Sequence, residues 1–101
     1  MKNQKLNMDD INAQLADISG WAVGENGASI AKTFKFSNFV EAFGFMTASA
    51  LVAERLNHHP DWHNIYSTVS VTLTTHDAGG LTELDFKLAK AMEIHASSRL
   101  K

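Results

Sequence analysis

Five histidines are the residues of this chain best suited to chemistry near neutral pH: His58, His59, His63, His76 and His95. An unperturbed imidazole titrates near pH ~6.5, so it can both give and take a proton under physiological conditions. His58 and His59 are adjacent and run directly into Pro60, the only proline. The proline disfavours right-handed helical geometry at His59. The reading is therefore that His58 projects from the last turn of a helix while His59 leaves it extended, so that two imidazoles approach one small volume from different directions. On pattern alone three roles stay open for this cluster: acid–base catalysis, a metal site, and structural packing. His59 and His63 stand four apart, but Pro60 interrupts the helix that a His-x-x-x-His zinc site needs, and no third ligand follows at a characteristic spacing. His63 and His95 read as bystanders. Asp85 reads more simply as a helix cap than as an acid, and Trp21 and Trp62 as packing.

The elements that must carry these residues follow from periodicity. Asn7 or Asp9 caps a first helix with Ile11, Leu15 and Ile18 on one face, ended by Gly20. Trp21–Val23 is a short strand entering a hairpin turn at Asn26-Gly27, with a return strand from about Ser29 to Phe36. On that strand Ile30, Phe34 and Phe36 share a face, and Lys32 breaks the alternation. A second helix starts near Ser37 or Asn38, with Glu41 as capping partner. Its apolar stripe is Phe39, Phe43, Met46, Ala50, Ala53 and Leu56, while Phe45, Ala48 and Val52 lie off it. Such a helix buries two faces, either at the centre of the core or at a subunit interface.

From Ile65 to Thr74 the alternation reads as one strand, with Ile65, Ser67, Val69, Val71 and Leu73 pointing one way and Tyr66, Thr68, Ser70, Thr72 and Thr74 the other. His76 lies at its exit, before the loop Asp77–Gly80. Thr82-Glu83-Leu84-Asp85 is a capping-box pattern opening a last helix through Leu88, Ala89, Met92 and His95. The order α-β-β-α-β-α, with one polar strand face, predicts an α+β fold in two layers: an antiparallel four-stranded sheet with helices packed on one face. A strand end and a helix end meeting at one edge of such a layer make a cleft, which is where His58, His59 and His76 converge in this reading.

Composition bounds the rest. With 101 residues, 45% hydrophobic and 20% charged, the chain is expected to be a single globular domain spanning 1–101. A net charge of -2 speaks against a dedicated nucleic-acid binder. The absence of cysteine excludes disulfides, thiolate metal sites and thiol nucleophiles. Met1–Asn7 has two lysines but no apolar stretch behind them, so it does not read as a secretory signal. The longest mainly apolar run, Phe43–Ala53, is too short for a membrane span of ~20 residues. Cytoplasmic location and no membrane partner are the expectations.

The segment Glu54-Arg55-Leu56-Asn57-His58-His59-Pro60-Asp61-Trp62, followed by Tyr66, Val69, Leu73, Thr75-His76, Gly80-Leu81-Thr82 and Asp85, resembles pterin-4a-carbinolamine dehydratase. Trp21, Phe34-Lys35-Phe36 and Phe39–Thr47 extend the likeness over nearly the whole chain after its first few residues. The spacing is specific: Glu-x-x-x-His-His-Pro, a histidine seventeen residues past the second, and an aspartate nine further on.

The resemblance implies removal of water from 4a-hydroxytetrahydropterin to give quinonoid dihydropterin, recycling the cofactor of aromatic amino acid hydroxylases. It implies three pocket histidines, matching His58, His59 and His76, with substrate contacts at Asn57, Pro60, Thr74, Thr75 and Asp77. Glu54, Trp21 and Asp85 match supporting positions. Asn57 departs from the aspartate of the animal enzymes, which removes a carboxylate beside the histidines. Neither a metal nor an organic cofactor is expected, because the pterin is itself the substrate. The expected partners are a small-molecule pterin and further copies of the chain, as a homodimer or homotetramer. The alternative is a module with little turnover: a pterin-binding or molybdopterin-associated protein, or a dimerisation cofactor of a transcription factor working through its helical surface.

Overall fold

The computed structural model describes residues 4–99. The first three residues, on which the reading of the N-terminus partly rests, lie outside that range. Three helices and four strands follow one another as α1 (Met8–Leu15), β1 (Ala22–Val23), β2 (Ile30–Lys35), α2 (Phe39–Leu56), β3 (Asp61–Ile65), β4 (Thr68–Leu73) and α3 (Glu83–Ser97). All strand pairs are antiparallel, in the order β1-β2-β4-β3. Strand β4 therefore inserts between β2 and β3, which the crossover through α2 links. The predicted α+β class with a four-stranded antiparallel sheet is what the chain adopts.

The sheet has one apolar and one polar face. Ile30 and Phe34 of β2 and Val69, Val71 and Leu73 of β4 are all buried. They meet Phe45, Val52 and Ala53 of α2 and Phe86, Leu88 and Met92 of α3 in one core cluster. Phe34 lies 4.7 Å from Phe45 between ring centroids and meets Trp21 edge-on at 5.9 Å. On the opposite face Thr33 pairs with Ser70, and Lys35 with Thr68. Period-two alternation thus sends aliphatic side chains to the helices and hydroxyls outward.

Four details differ from the periodicity reading. First, the strand read as Ile65–Thr74 is β4, Thr68–Leu73, a further strand precedes it, and Ile65, read with the inward residues, is exposed. Asp61–Ile65 is an edge strand that turns at Tyr66-Ser67, so the element order is α-β-β-α-β-β-α. Tyr66 takes a left-handed backbone (φ 51°), and the Asn64 amide secures the turn by donating to the Tyr66 and Thr68 carbonyls. Second, α1 stops at Leu15, and Ile18 reaches the core from the connection that follows. Third, of the expected α2 stripe Met46, Ala53 and Leu56 pack on the core while Phe39, Phe43 and Ala50 are exposed, and Ala42, Phe45, Ser49 and Val52 are buried instead. Fourth, Lys32 breaks the alternation because it points inward beneath α3. There its ammonium meets the Glu93 carboxylate and lies 4.8 Å from the Phe34 ring centroid.

Candidate active site

Each of the three segments that carry the candidate residues is held by its own local chemistry. Helix α2 ends at Leu56 because Asn57 adopts the left-handed conformation (φ 53°, ψ 44°). The Asn57 N–H donates to the Glu54 carbonyl (3.1 Å) and the His58 N–H to the Ala53 carbonyl (3.0 Å), which is the Schellman arrangement. The helix therefore stops two residues before His58, and His58 leaves after the left-handed residue rather than from the last helical turn. Asparagine is among the few residues that adopt this backbone readily, which supplies a conformational reason for Asn57 independent of its side-chain chemistry.

The second segment leaves β4 through Thr74 and Thr75. The Thr74 hydroxyl donates to the Ala28 carbonyl in the β1–β2 connection. Thr75 and Gly80 form an isolated antiparallel bridge, with N–H···O distances of 3.0 Å from Thr75 and 3.4 Å from Gly80. That bridge pinches off a 3₁₀ turn, His76–Ala78, completed by Gly79 at φ 76°. His76 and Asp77 stand exposed at the tip.

The third segment is the start of α3. Thr82 is its N-cap, and its hydroxyl accepts from the Leu84 N–H (3.2 Å). Asp85 returns the bond to the Thr82 N–H (2.9 Å), closing the capping box read from the sequence.

These segments meet at Asp85, whose side chain is completely buried. Its Oδ1 lies 2.6 Å from His58 Nε2, and its Oδ2 accepts from the Thr75 hydroxyl at 2.8 Å. The residue read as a cap thus also joins the end of α2 to the strand exit that carries His76. A buried carboxylate needs such a set of donors, because its desolvation is otherwise uncompensated. His58 is correspondingly withdrawn from solvent, with its side chain 9% exposed.

His59 behaves oppositely. Its Nε2 lies 2.8 Å from Glu54 Oε1, and both side chains are exposed (57% and 80%). The two adjacent histidines therefore each face a carboxylate, one in the interior and one at the surface. Pro60 is half-buried and leads into β3.

The remaining candidates lie apart from this network. Trp21 donates its indole N–H to Glu93 (2.8 Å), two turns of α3 beyond Asp85, or ~12 Å along the helix axis. His63 lies on β3 across from Ser70, on the outer face of the sheet. His95 sits near the end of α3, where its carbonyl accepts from Arg99. Thr82 is the residue that the sequence reading left out of the site. Its signals there were the capping box, which reports a helix start, and a place in the family resemblance, and neither marks it as a neighbour of a histidine. Among the described residues, no group of three or more His, Asp or Glu side chains is arranged to hold a metal ion.

Residues 4–95 match the family model described as Pterin 4 alpha carbinolamine dehydratase. The chain is similar to a Rhizobium johnstonii protein named for pterin-4-alpha-carbinolamine dehydratase, at 69% identity over 92% of each chain. A Rhizobium etli protein named for the same enzyme is 62% identical over the full length of both. Among solved structures, that of a transcriptional coactivator/pterin dehydratase from Brucella melitensis superposes with a TM-score of 0.90. It is 44% identical, over 93% of this chain and all of that one. A pterin dehydratase-like protein described as a RuBisCO assembly factor of the alpha-carboxysome shares the fold at 21% identity and a TM-score of 0.67, over 79% of this chain and 93% of that one.

Proposed function

The chain belongs to the pterin-4-alpha-carbinolamine dehydratase family, and from that premise we propose how its residues carry out the dehydration. The enzyme is a hydro-lyase. It converts 4a-hydroxytetrahydropterin to quinonoid dihydropterin and water, recycling the pterin used by aromatic amino acid hydroxylases. The C4a–O bond breaks as the hydroxyl takes up a proton and leaves as water. N5 loses its proton, and the C4a=N5 double bond forms from the electrons released. No electron donor or acceptor enters the balance. The reading includes no resident cofactor, because the pterin is consumed as substrate.

His58 and His76 act as general acids toward the departing hydroxyl, and His59 relays the proton from N5. Each proton transfer contributes ~10²–10⁴-fold. The observation that carries this reading is Asp85 bonded at once to His58 and to Thr75, the residue before His76. That shared carboxylate supports a site built from the end of α2 and the exit of β4. With Nε2 donating to Asp85, His58 works through Nδ1, and it serves as an acid there in the form that carries a proton on both ring nitrogens. The exposure of His59 and its contact with Glu54 suit a proton relay to water. The pterin edge finds its hydrogen-bonding partners around Asn57, Pro60 and the Thr74–Asp77 segment.

The decisive experiment is a stopped-flow assay with freshly generated 4a-hydroxypterin, wild type against His59→Ala. Loss of kcat in a folded variant supports the relay, and near-normal kcat sinks it.

One observation favours a second role beside turnover. Val40, Phe43 and Leu51 leave an apolar strip exposed along α2, at 75%, 53% and 67%. We read this strip as the contact between copies in a homodimer or homotetramer. In the alternative reading as a module of the coactivator kind, the same strip would meet a partner in place of a second copy. A surface variant that loses partner binding while keeping turnover separates that scaffold role from the enzyme. The location proposed is cytoplasmic; among the described residues no helix is long and apolar enough to cross a membrane.

A further inference from the structure

The hydrogen-bond network around Asp85 has only one self-consistent direction. A carboxylate only accepts, so the Thr75 hydroxyl must spend its single proton on Asp85 Oδ2 at 2.8 Å. The contact of 2.8 Å between the Thr75 and Thr82 hydroxyls then has to be donated by Thr82. Thr82 can do so because its own oxygen accepts from the Leu84 N–H. The chain therefore runs from the first turn of α3 through Thr82 and Thr75 to Asp85. On the other carboxylate oxygen the His58 contact of 2.6 Å is likewise one that His58 donates, from Nε2. Neutral His58 is thereby held with its proton on Nε2 and a free lone pair on Nδ1.

We propose that Thr75 and Thr82 are positioning residues, whose hydroxyl chain orients Asp85 and through it fixes the tautomer and ring orientation of His58. Thr75 has nothing left to donate to a substrate. Its hydroxyl is committed to Asp85 and its N–H to the Gly80 carbonyl. Its expected place among the substrate contacts therefore becomes one behind the histidine. The same residue also ties His58 to His76, since it sits directly before His76 and closes the bridge that shapes that turn. Thr82 is fully buried, so its hydroxyl has no water to exchange with. Removing the Thr75 hydroxyl takes one donor from the carboxylate and strands the Thr82 hydroxyl, and removing the Thr82 hydroxyl leaves the Thr75 oxygen without the donor that fixes its orientation. The kinetic part of this inference rests on the histidine reading above; the tautomer part does not.

The test compares Thr75→Val and Thr82→Val with Thr75→Ser and Thr82→Ser. Ring ¹⁵N spectra of the labelled full chain report the His58 tautomer, stopped-flow kinetics report kcat and KM, and thermal melts report folding. For the valine variants we expect the His58 signals to move from a single Nε2-protonated form toward a tautomer mixture. We also expect kcat to fall roughly 10-fold with KM little changed. The serine variants restore both readouts. An unmoved His58 tautomer in both folded valine variants overturns the proposal, whatever happens to kcat. If the valine variants fail to fold, the serine variants decide: a displaced tautomer in folded Thr75→Ser or Thr82→Ser overturns the proposal, and a retained one supports it. If the tautomer shifts while kcat stays at the wild-type value, the hydroxyl chain stands and the catalytic role of His58 falls.

Discussion

His58 Nε2 lies 2.6 Å from Asp85 Oδ1, and this contact crosses the molecule from the end of α2 to the first turn of α3. One carboxylate thus caps a helix and orients an imidazole. Replacing it by an amide separates the two jobs. In Asp85→Asn the amide oxygen stays on the side of the Thr82 N–H and the Thr75 hydroxyl, which both donate, and the NH₂ turns to His58. Nε2 must then accept, and the proton moves to Nδ1. The expected result is a loss of kcat of ~10²–10⁴-fold with the cap retained, read by stopped-flow assay and a thermal melt. Wild-type kcat in this variant would show that the tautomer is irrelevant to turnover.

His59 provides the complementary case, because its contact with Glu54 is a surface pair. Such pairs add little stability. His59→Ala should therefore leave the melting temperature within about 2 °C of wild type, while kcat drops ~10²-fold or more. A parallel drop in melting temperature would mean that the residue is structural.

Asn57 tests the backbone argument. A β-branched side chain at φ 53° is strained, so Asn57→Val should lower stability by ~1–2 kcal/mol. Asn57→Gly should lie within a few tenths of wild type, since glycine enters the left-handed region freely. Urea melts distinguish the two. Equal stability of the valine and asparagine proteins would count against the conformational role.

The exposed strip on α2 makes a prediction about assembly. At micromolar concentration the wild-type protein should scatter light as a dimer or tetramer, and Phe43→Glu should shift it toward monomer with its helical circular dichroism intact. A wild-type monomer mass would remove α2 from the interface.

Some of this was legible in particular residues. The capping box at Thr82–Asp85 announced the start of α3, and Asn38 announced that of α2, where its side chain accepts from the Glu41 N–H. Strand β3 was hidden because Asn64 faces inward and Ile65 outward, against the usual pattern. Its turn uses Tyr66 at positive φ where asparagine or glycine is the recognisable signal. Helix α2 offered two apolar faces of helical spacing, and nothing local distinguishes the face through Phe45 from the face through Phe43.

By itself the sequence determined the α+β class, the helix starts, and the set of three histidines with an aspartate at a specific spacing, because local propensity and residue chemistry are properties of short segments. Only the tertiary structure decided which face of α2 meets the sheet, that Lys32 turns inward to Glu93, and that Asp85 joins His58 to Thr75. Those facts depend on segments between ten and sixty-one residues apart brought within hydrogen-bonding distance, and no local pattern encodes such a meeting. The five histidines are divided in the same way: their types made the chemistry available, and burial against one carboxylate set His58 apart from His59.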